Sequence, residues 1–170
     1  ARGEAKRQLG QVLRFEAALG ADELNVAEFP LAAITHRLDS DVRTLTFEDK
    51  IFDEGNQQPV HRKVVISASD HFGLPTPRDS DVLLVLLYLT NLRNGLTDRT
   101  VRFSRYELVK LLGWDQGGRS YRRLDESLNR WAGVTLYYNH AWWDRSGRKW
   151  RSRTFHVIES VELRSRADGD

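Results

Sequence analysis

Arginines set at helical spacing are the residues of this chain with the clearest chemistry. From position 119 the sequence runs Arg119-Ser120-Tyr121-Arg122-Arg123-Leu124 and continues through Leu128, Arg130 and Trp131. At 100° per residue, with Leu124 as zero, Tyr121, Leu128 and Trp131 fall within about 60°, while Arg119, Arg122, Arg123 and Arg130 fall between about 160° and 260°. A helix over residues 119–132 would therefore be apolar on one side and cationic on the other. Its length of about 21 Å suits a major groove, where arginine can address guanine O6 and N7 together and serine either a base or a phosphate. The competing use of these charges is ion pairing on the surface, because Glu126 sits four residues from both Arg122 and Arg130.

A second cationic group follows. Arg145, Arg148, Lys149, Arg151 and Arg153 occur with no acid between them, around an Arg-Ser-Gly-Arg turn that separates two strand-like segments, 134–144 and 149–162. Such a hairpin supplies phosphate affinity and salt dependence rather than sequence choice. A merely solvated tip is the alternative. Tyr137, Tyr138, Trp142, Trp143 and Trp150 make the same hairpin aromatic. Cross-strand packing accounts for most of them, with Trp150 the candidate for stacking on an unpaired base.

Charge is distributed accordingly. From Arg99 onward there are 15 Lys/Arg and 9 Asp/Glu, a net of +6, whereas the first 98 residues carry 11 and 15, a net of −4. The 170 residues are 40% hydrophobic and 29% charged, a globular composition with room for one core or two small ones. The lack of cysteine removes disulfides and thiolate metal sites and favours a cytoplasmic setting. No run reaches the roughly 20 apolar residues that span a bilayer. The start at Ala1 and the absence of methionine suggest a piece of a longer product.

The elements that must position these groups can be read in order. Residues 1–19 form an amphipathic pattern (Leu9, Val12, Leu13, Leu19), expected as a helix that packs on its own chain or, alternatively, on the second subunit of a homodimer. Residues 25–33, with Pro30, are expected extended and irregular. Segments 42–52 and 60–69 read as a hairpin around Gly55, Asn56 and Pro59. Asp79-Ser80-Asp81 is expected to cap a helix over 82–92 that is apolar nearly all round and hence central. A short strand at 100–103 precedes a capping box, Ser104-Arg105-Tyr106-Glu107, which opens a helix over 104–112. Helix, strand, helix, arginine-bearing helix and basic hairpin is the order of a winged helix-turn-helix.

The fold expected is α+β: residues 1–23 an N-terminal helix, 24–78 a β-hairpin extension and connector, 79–163 a winged helix-turn-helix, and 164–170 a tail. The DNA-facing candidates are Arg105, Arg119, Ser120, Tyr121, Arg122 and Arg123, with Arg145, Arg148, Lys149, Arg151 and Arg153 in the wing. Catalysis is not expected. The five histidines lack metal-site or HExxH spacing, Asp79-x-Asp81 reads as capping, and no GxxxxGK[ST] loop is present, so no cofactor is expected.

Several segments together resemble the replication initiator protein A family of bacterial plasmids. They are Asn25-Val26-Ala27-Glu28-Phe29-Pro30-Leu31, Phe72-Gly73-Leu74-Pro75-Thr76, Asp81-Val82-Leu83-Leu84, Phe103-Ser104-Arg105-Tyr106-Glu107-Leu108, Leu112-Gly113-Trp114, Ser120-Tyr121-Arg122-Arg123-Leu124 and Leu136-Tyr137-Tyr138-Asn139. The resemblance covers about residues 24–163. It implies a winged-helix initiator that binds repeated double-stranded sites at a plasmid origin, recruits host replication proteins, and begins its recognition helix near Ser120. It also implies a second winged-helix module beyond residue 163. Two other readings use the same residues: a transcriptional regulator repressing its own gene, and a winged-helix protein-interaction module.

Overall fold

The computed structural model describes residues 11–15 and 41–164, with side chains for the latter range. Among them are three helices and two antiparallel sheets around one core, a mixed α/β arrangement. Strand β1 (Gln11–Phe15) lies between β4 (Thr100–Phe103) and β7 (Ile158–Glu162) in a three-stranded sheet. The other sheet has the order β2 (Thr44–Asp53), β3 (Gln58–Ser67), β5 (Thr135–Asp144), β6 (Lys149–His156). The helices are α1 (Pro77–Asn94), α2 (Arg105–Leu111) and α3 (Gly118–Ala132).

The expected N-terminal helix is corrected at residues 11–15, which form a strand bonded to β4 on one edge and β7 on the other. Five residues with mixed spacing fit either period, and two strands distant in sequence decide the matter. The rest of that helix and the irregular segment 25–33 lie outside the described residues. The hairpin expected over 42–52 and 60–69 forms as β2 and β3 with an unbroken register from Thr44↔Ser67 to Asp53↔Gln58. Pro59 sits beyond the stretch of β3 paired to β5, so its missing N–H interrupts no inner ladder.

Helix α1 starts five residues earlier than expected. Thr76 is its N-cap, Pro77 occupies the first turn, and Asp79 closes a capping box by accepting from Thr76 N (2.6 Å) and Thr76 Oγ1 (2.8 Å). Gly95, at φ 60°, ends the helix in the left-handed conformation that glycine adopts without strain. The helix is not buried all round. Val82, Leu83, Leu86 and Leu89 enter the core, but Leu84, Tyr88 and Leu92 are 63%, 56% and 68% exposed. Their spacing of four puts them on one face, which no described element covers.

Strand β4 and helix α2 form as expected, and Ser104 Oγ accepts from Glu107 N at 3.1 Å. The Glu107 carboxylate does not return to the cap; it takes both bonds from Arg93 of α1 (2.7 and 2.8 Å) and ties the helices together. Helix α3 buries Leu124, Leu128 and Trp131, the side that its periodicity predicts. The strand expected over 149–162 is two strands: at Val157, fully buried, the chain leaves one sheet as β6 and joins the other as β7. That crossing joins the two sheets, which share one core with the helices.

Four carboxylates on the hairpins are held below the usual range. A hydrogen bond from Lys63 lowers Glu48, and one from Arg62 lowers Asp49. Asn56 and the turn amides lower Asp53; Ser146 and the Gly147 amide lower Asp144. Lowered carboxylates contribute stability that is complete above their unfolded values and is lost as pH falls through the folded ones. Near-UV circular dichroism should therefore hold steady above about pH 5 and decline on further acidification. Asp49→Asn should decline less steeply. A wild-type signal unchanged down to about pH 2 would contradict this.

Candidate nucleic-acid interface

Which guanidinium groups are available is decided by where the fold supplies acids and rings. Arg105 is not presented to solvent as a contact. Its Nε and Nη2 clamp Asp125 of α3 at 2.7 and 2.9 Å, and its Nη1 donates to Arg164 O. Arg130, on the cationic side of the wheel, is likewise engaged. It donates from Nη1 to both oxygens of Asp79 (2.8 and 2.9 Å) and from Nε to Phe72 O (2.9 Å). Each arginine joins elements far apart in sequence, and neither partner is visible in local spacing.

On the first turns of α3 the candidates separate. Ser120 is 8% exposed, on the side of α3 that turns to the core. Tyr121 is half-buried and donates its hydroxyl to Gln116 Oε1 at 3.0 Å. Arg123 lies over the Trp114 ring, 5.4 Å from its centroid. Arg119 and Arg122 are exposed and make no hydrogen bond or ion pair to a described residue. The competing reading, in which Glu126 pairs with Arg122 and Arg130, is not seen: neither pair forms. The helix begins at Gly117-Gly118 with no side-chain cap and no acid in its first turn. Its N-terminal amides thus add partial positive charge to that of Arg119.

The hairpin divides in the same way. Arg151 is paired with Asp144 Oδ2 at 2.6 Å, the acid one position outside the basic run. Arg153 stacks on Trp142 (4.6 Å) and Phe155 (5.2 Å). Arg145, Arg148 and Lys149 are exposed at the tip and make no ion pair with a described residue. The tip turn is held by Asp144 Oδ1, which accepts from Ser146 N and Oγ. A Cβ at Gly147 would come within 2.8 Å of Asp144 Oδ2, so a side chain there would push that carboxylate aside.

A bulge shapes the hairpin. The β5–β6 register shifts between Tyr138 and Trp142, where His140 has φ 50° and its N–H donates to Ser152 Oγ. Pairing of β5 to β3 stops at Asn139, so the outer half of the hairpin leaves the sheet on its own. Tyr138, Trp142 and Phe155 pack together at 5.4–5.6 Å across the bulge, which accounts for those aromatics as packing. Trp143 and Trp150, 5.1 Å apart, lie in the outer half. With Phe52 of β2 they line a cleft between the two hairpin tips, a site that sequence reasoning missed except for the singling out of Trp150.

Two cationic clusters with no acid partner among the described residues therefore stand at the far ends of two arms that meet at Gly133. Helix α3 reaches about 22 Å to Arg119 and strand β5 about 33 Å to the tip. No helix among the described residues is long and apolar enough to cross a membrane.

The fold has known counterparts. A crystal structure of domains 2 and 3 of RctB, as its selenomethionine derivative, is 14% identical with a TM-score of 0.50, covering 84% of this chain and 46% of that one. A crystal structure of RctB domains 2–3 is 15% identical with a TM-score of 0.47, covering 80% of this chain and 44% of that one. The chain thus spans under half the length of these solved relatives, and no curated protein matches its sequence. The family model for replication initiator protein A matches residues 21–170, nearly the whole chain, and on that match the protein belongs to the replication initiator protein A family.

Proposed function

We propose that the chain binds the duplex of a plasmid origin through a winged helix-turn-helix and takes part in initiating replication without bond chemistry of its own. In this reading α1, β4, α2 and α3 are the helix-turn-helix body, and β5–β6 is the wing. Arg119 and Arg122 address the major groove, with the uncapped N-terminus of α3 beside a phosphate. Arg145, Arg148 and Lys149 neutralise phosphates next to that groove. Family membership supports the initiation role. Repeated origin sites, a homodimer and recruitment of host proteins are carried by the family resemblance.

The observation that carries the reading is selective pairing. Arg105, Arg130 and Arg151 have acid partners, whereas five cations at the ends of the two arms have none among the described residues. Cations kept clear of acids attract an external anion.

Salt dependence tests it. Binding of a fluorescent origin duplex, followed by anisotropy at several salt concentrations, should weaken as salt rises. For an Arg145→Ala, Arg148→Ala, Lys149→Ala triple variant the log–log slope should be shallower by about 0.9 for each phosphate that is no longer neutralised. Arg151→Ala, which removes a cation already paired, should change the slope less. Equal slopes for wild type and the triple variant would refute the wing, and salt-independent affinity would point to a protein-interaction module instead.

A further inference from the structure

The turn between α2 and α3 holds one arginine by a different means from the acid pairs. Helix α2 ends in a Schellman motif: Gly113, at φ 67°, donates its N–H to Lys110 O (3.1 Å), and Trp114 donates its N–H to Val109 O (3.0 Å). The motif fixes the direction in which Trp114 leaves the helix. Its half-buried ring packs against the core and carries the guanidinium of Arg123, whose Cζ lies 5.4 Å from the ring centroid. Two residues further on, Gln116 accepts the Tyr121 hydroxyl at 3.0 Å, so the same turn holds two side chains of the early part of α3.

A ring and a carboxylate hold an arginine with different consequences. Arg105 and Arg130 commit their charge and several N–H groups to Asp125 and Asp79. Arg123 makes no hydrogen bond or ion pair to a described residue, although Glu126 is only three positions away. A ring face attracts a cation without neutralising it and takes none of its five N–H donors. Arg123 thus keeps its charge and donors, while the ring restricts the rotamer freedom that binding would otherwise cost. Arg119 and Arg122 have no such support. On the wheel Arg123 lies at about 260°, about 40° beyond Arg119 and about 100° beyond Arg122, on the flank of α3 beside the turn. A helix seated in a major groove turns its flanks to the phosphates that border it.

We propose that Trp114 is a positioning residue for duplex binding: it pre-sets Arg123 on the flank of α3 for a phosphate at the edge of the groove, while Arg119 and Arg122 face the bases. The proposal rests on the duplex reading above and adds to it a residue that acts without touching DNA. Affinity then depends on the α2–α3 turn through one guanidinium that is ordered before the duplex arrives.

Two measurements test it. In NMR of the free wild-type protein, the Arg123 Nε–H signal, identified by its loss in Arg123→Ala, should be shifted by the indole ring current and have a higher order parameter than those of Arg119 and Arg122. An Arg123 signal as mobile as that of Arg122 overturns the proposal, whether or not any Trp114 variant folds. The second measurement is anisotropy with a fluorescent origin duplex at several salt concentrations. Arg123→Ala should bind at least about fivefold more weakly, with a log–log slope shallower by about 0.9, one phosphate. Trp114→Leu should bind about threefold more weakly with the wild-type slope, because the same phosphate is reached at a greater entropic cost. Trp114→Phe, which restores a ring face, should stay within about twofold of wild type. Combined with Arg123→Ala, Trp114→Leu should have almost no further effect. An equal threefold loss in both backgrounds overturns the proposal, because it marks a ring that only supports the fold. Undiminished binding by Arg123→Ala defeats this inference alone, whereas a wild type that binds no duplex defeats the reading beneath it.

Discussion

Asp79→Ala is expected to cost about 3–5 kcal/mol of folding stability, a large share of what a domain of this size possesses. The Asp79 side chain is 4% exposed and has four bonds to two partners: two from Arg130 Nη1, and one each from Thr76 N and Oγ1. Its backbone oxygen takes the indole N–H of Trp131 at 2.6 Å. Alanine leaves a partly buried guanidinium facing Phe72 O alone and frees the cap of α1. Breaking such a pair from one side leaves the other charge desolvated without compensation, which is why the loss exceeds the net worth of the pair. Urea unfolding followed by tryptophan fluorescence would measure it. Arg130→Met should cost a similar amount, and the double variant should cost clearly less than the sum. Additive losses, or an Asp79→Ala change below about 1 kcal/mol, would show that the pair contributes little. At temperatures where it is folded, Arg130→Met should keep the wild-type salt slope on DNA.

The second large effect concerns discrimination between duplexes. An Arg119→Ala, Arg122→Ala double variant should lose its preference for the origin repeat over a scrambled duplex. A bidentate arginine–guanine contact supplies about 1–3 kcal/mol of discrimination, so two of them amount to at least about 30-fold. Both side chains are exposed on the outer side of α3, whose inner side is fixed by Leu124, Leu128 and Trp131, so their removal should leave the fold intact. Arg105→Ala is the informative contrast. It should lower stability through the Asp125 clamp, by about 1–3 kcal/mol, and leave the preference unchanged. Preference retained in the double variant would remove α3 from base reading. Preference lost in Arg105→Ala as well would mean that helix position, not direct side-chain reading, sets the choice.

Local patterns in the sequence reached a good part of this. The β2–β3 hairpin, β4, α2 and the buried stripe of α3 follow from turn residues, a capping serine and 3.6-residue spacing, each of which acts within a few positions. The cap of α1 was legible and misassigned: Thr76-Pro77-x-Asp79 is a capping box with proline in the first turn, yet the acids at 79 and 81 look like caps themselves. Ser120 was legible too. At 100° per residue it falls about 40° from Leu124, on the inner side, and its expected role in the groove ignored that. What local pattern could not reveal is which arginines find acids. Asp79 lies 51 residues from Arg130, and Asp125 lies 20 from Arg105. The strand at 11–15 is of the same kind, since its conformation is imposed by β4 and β7. The aromatic cleft depends on a bulge, and no residue type announces one.

The place of Gln11–Phe15 has an implication for biosynthesis. It is the middle strand of its sheet, yet Leu13 pairs on one side with Val101 and on the other with Val161. A ribosome delivers this strand well before its second neighbour, with β4 between them in the order of synthesis. Until then one edge of β1 has no partner and is open to pairing with other nascent chains. Closure of the sheet is thus a late event that joins early and late segments, with the slow kinetics of distant contacts. Production of this protein should be most vulnerable to aggregation before translation passes Glu162.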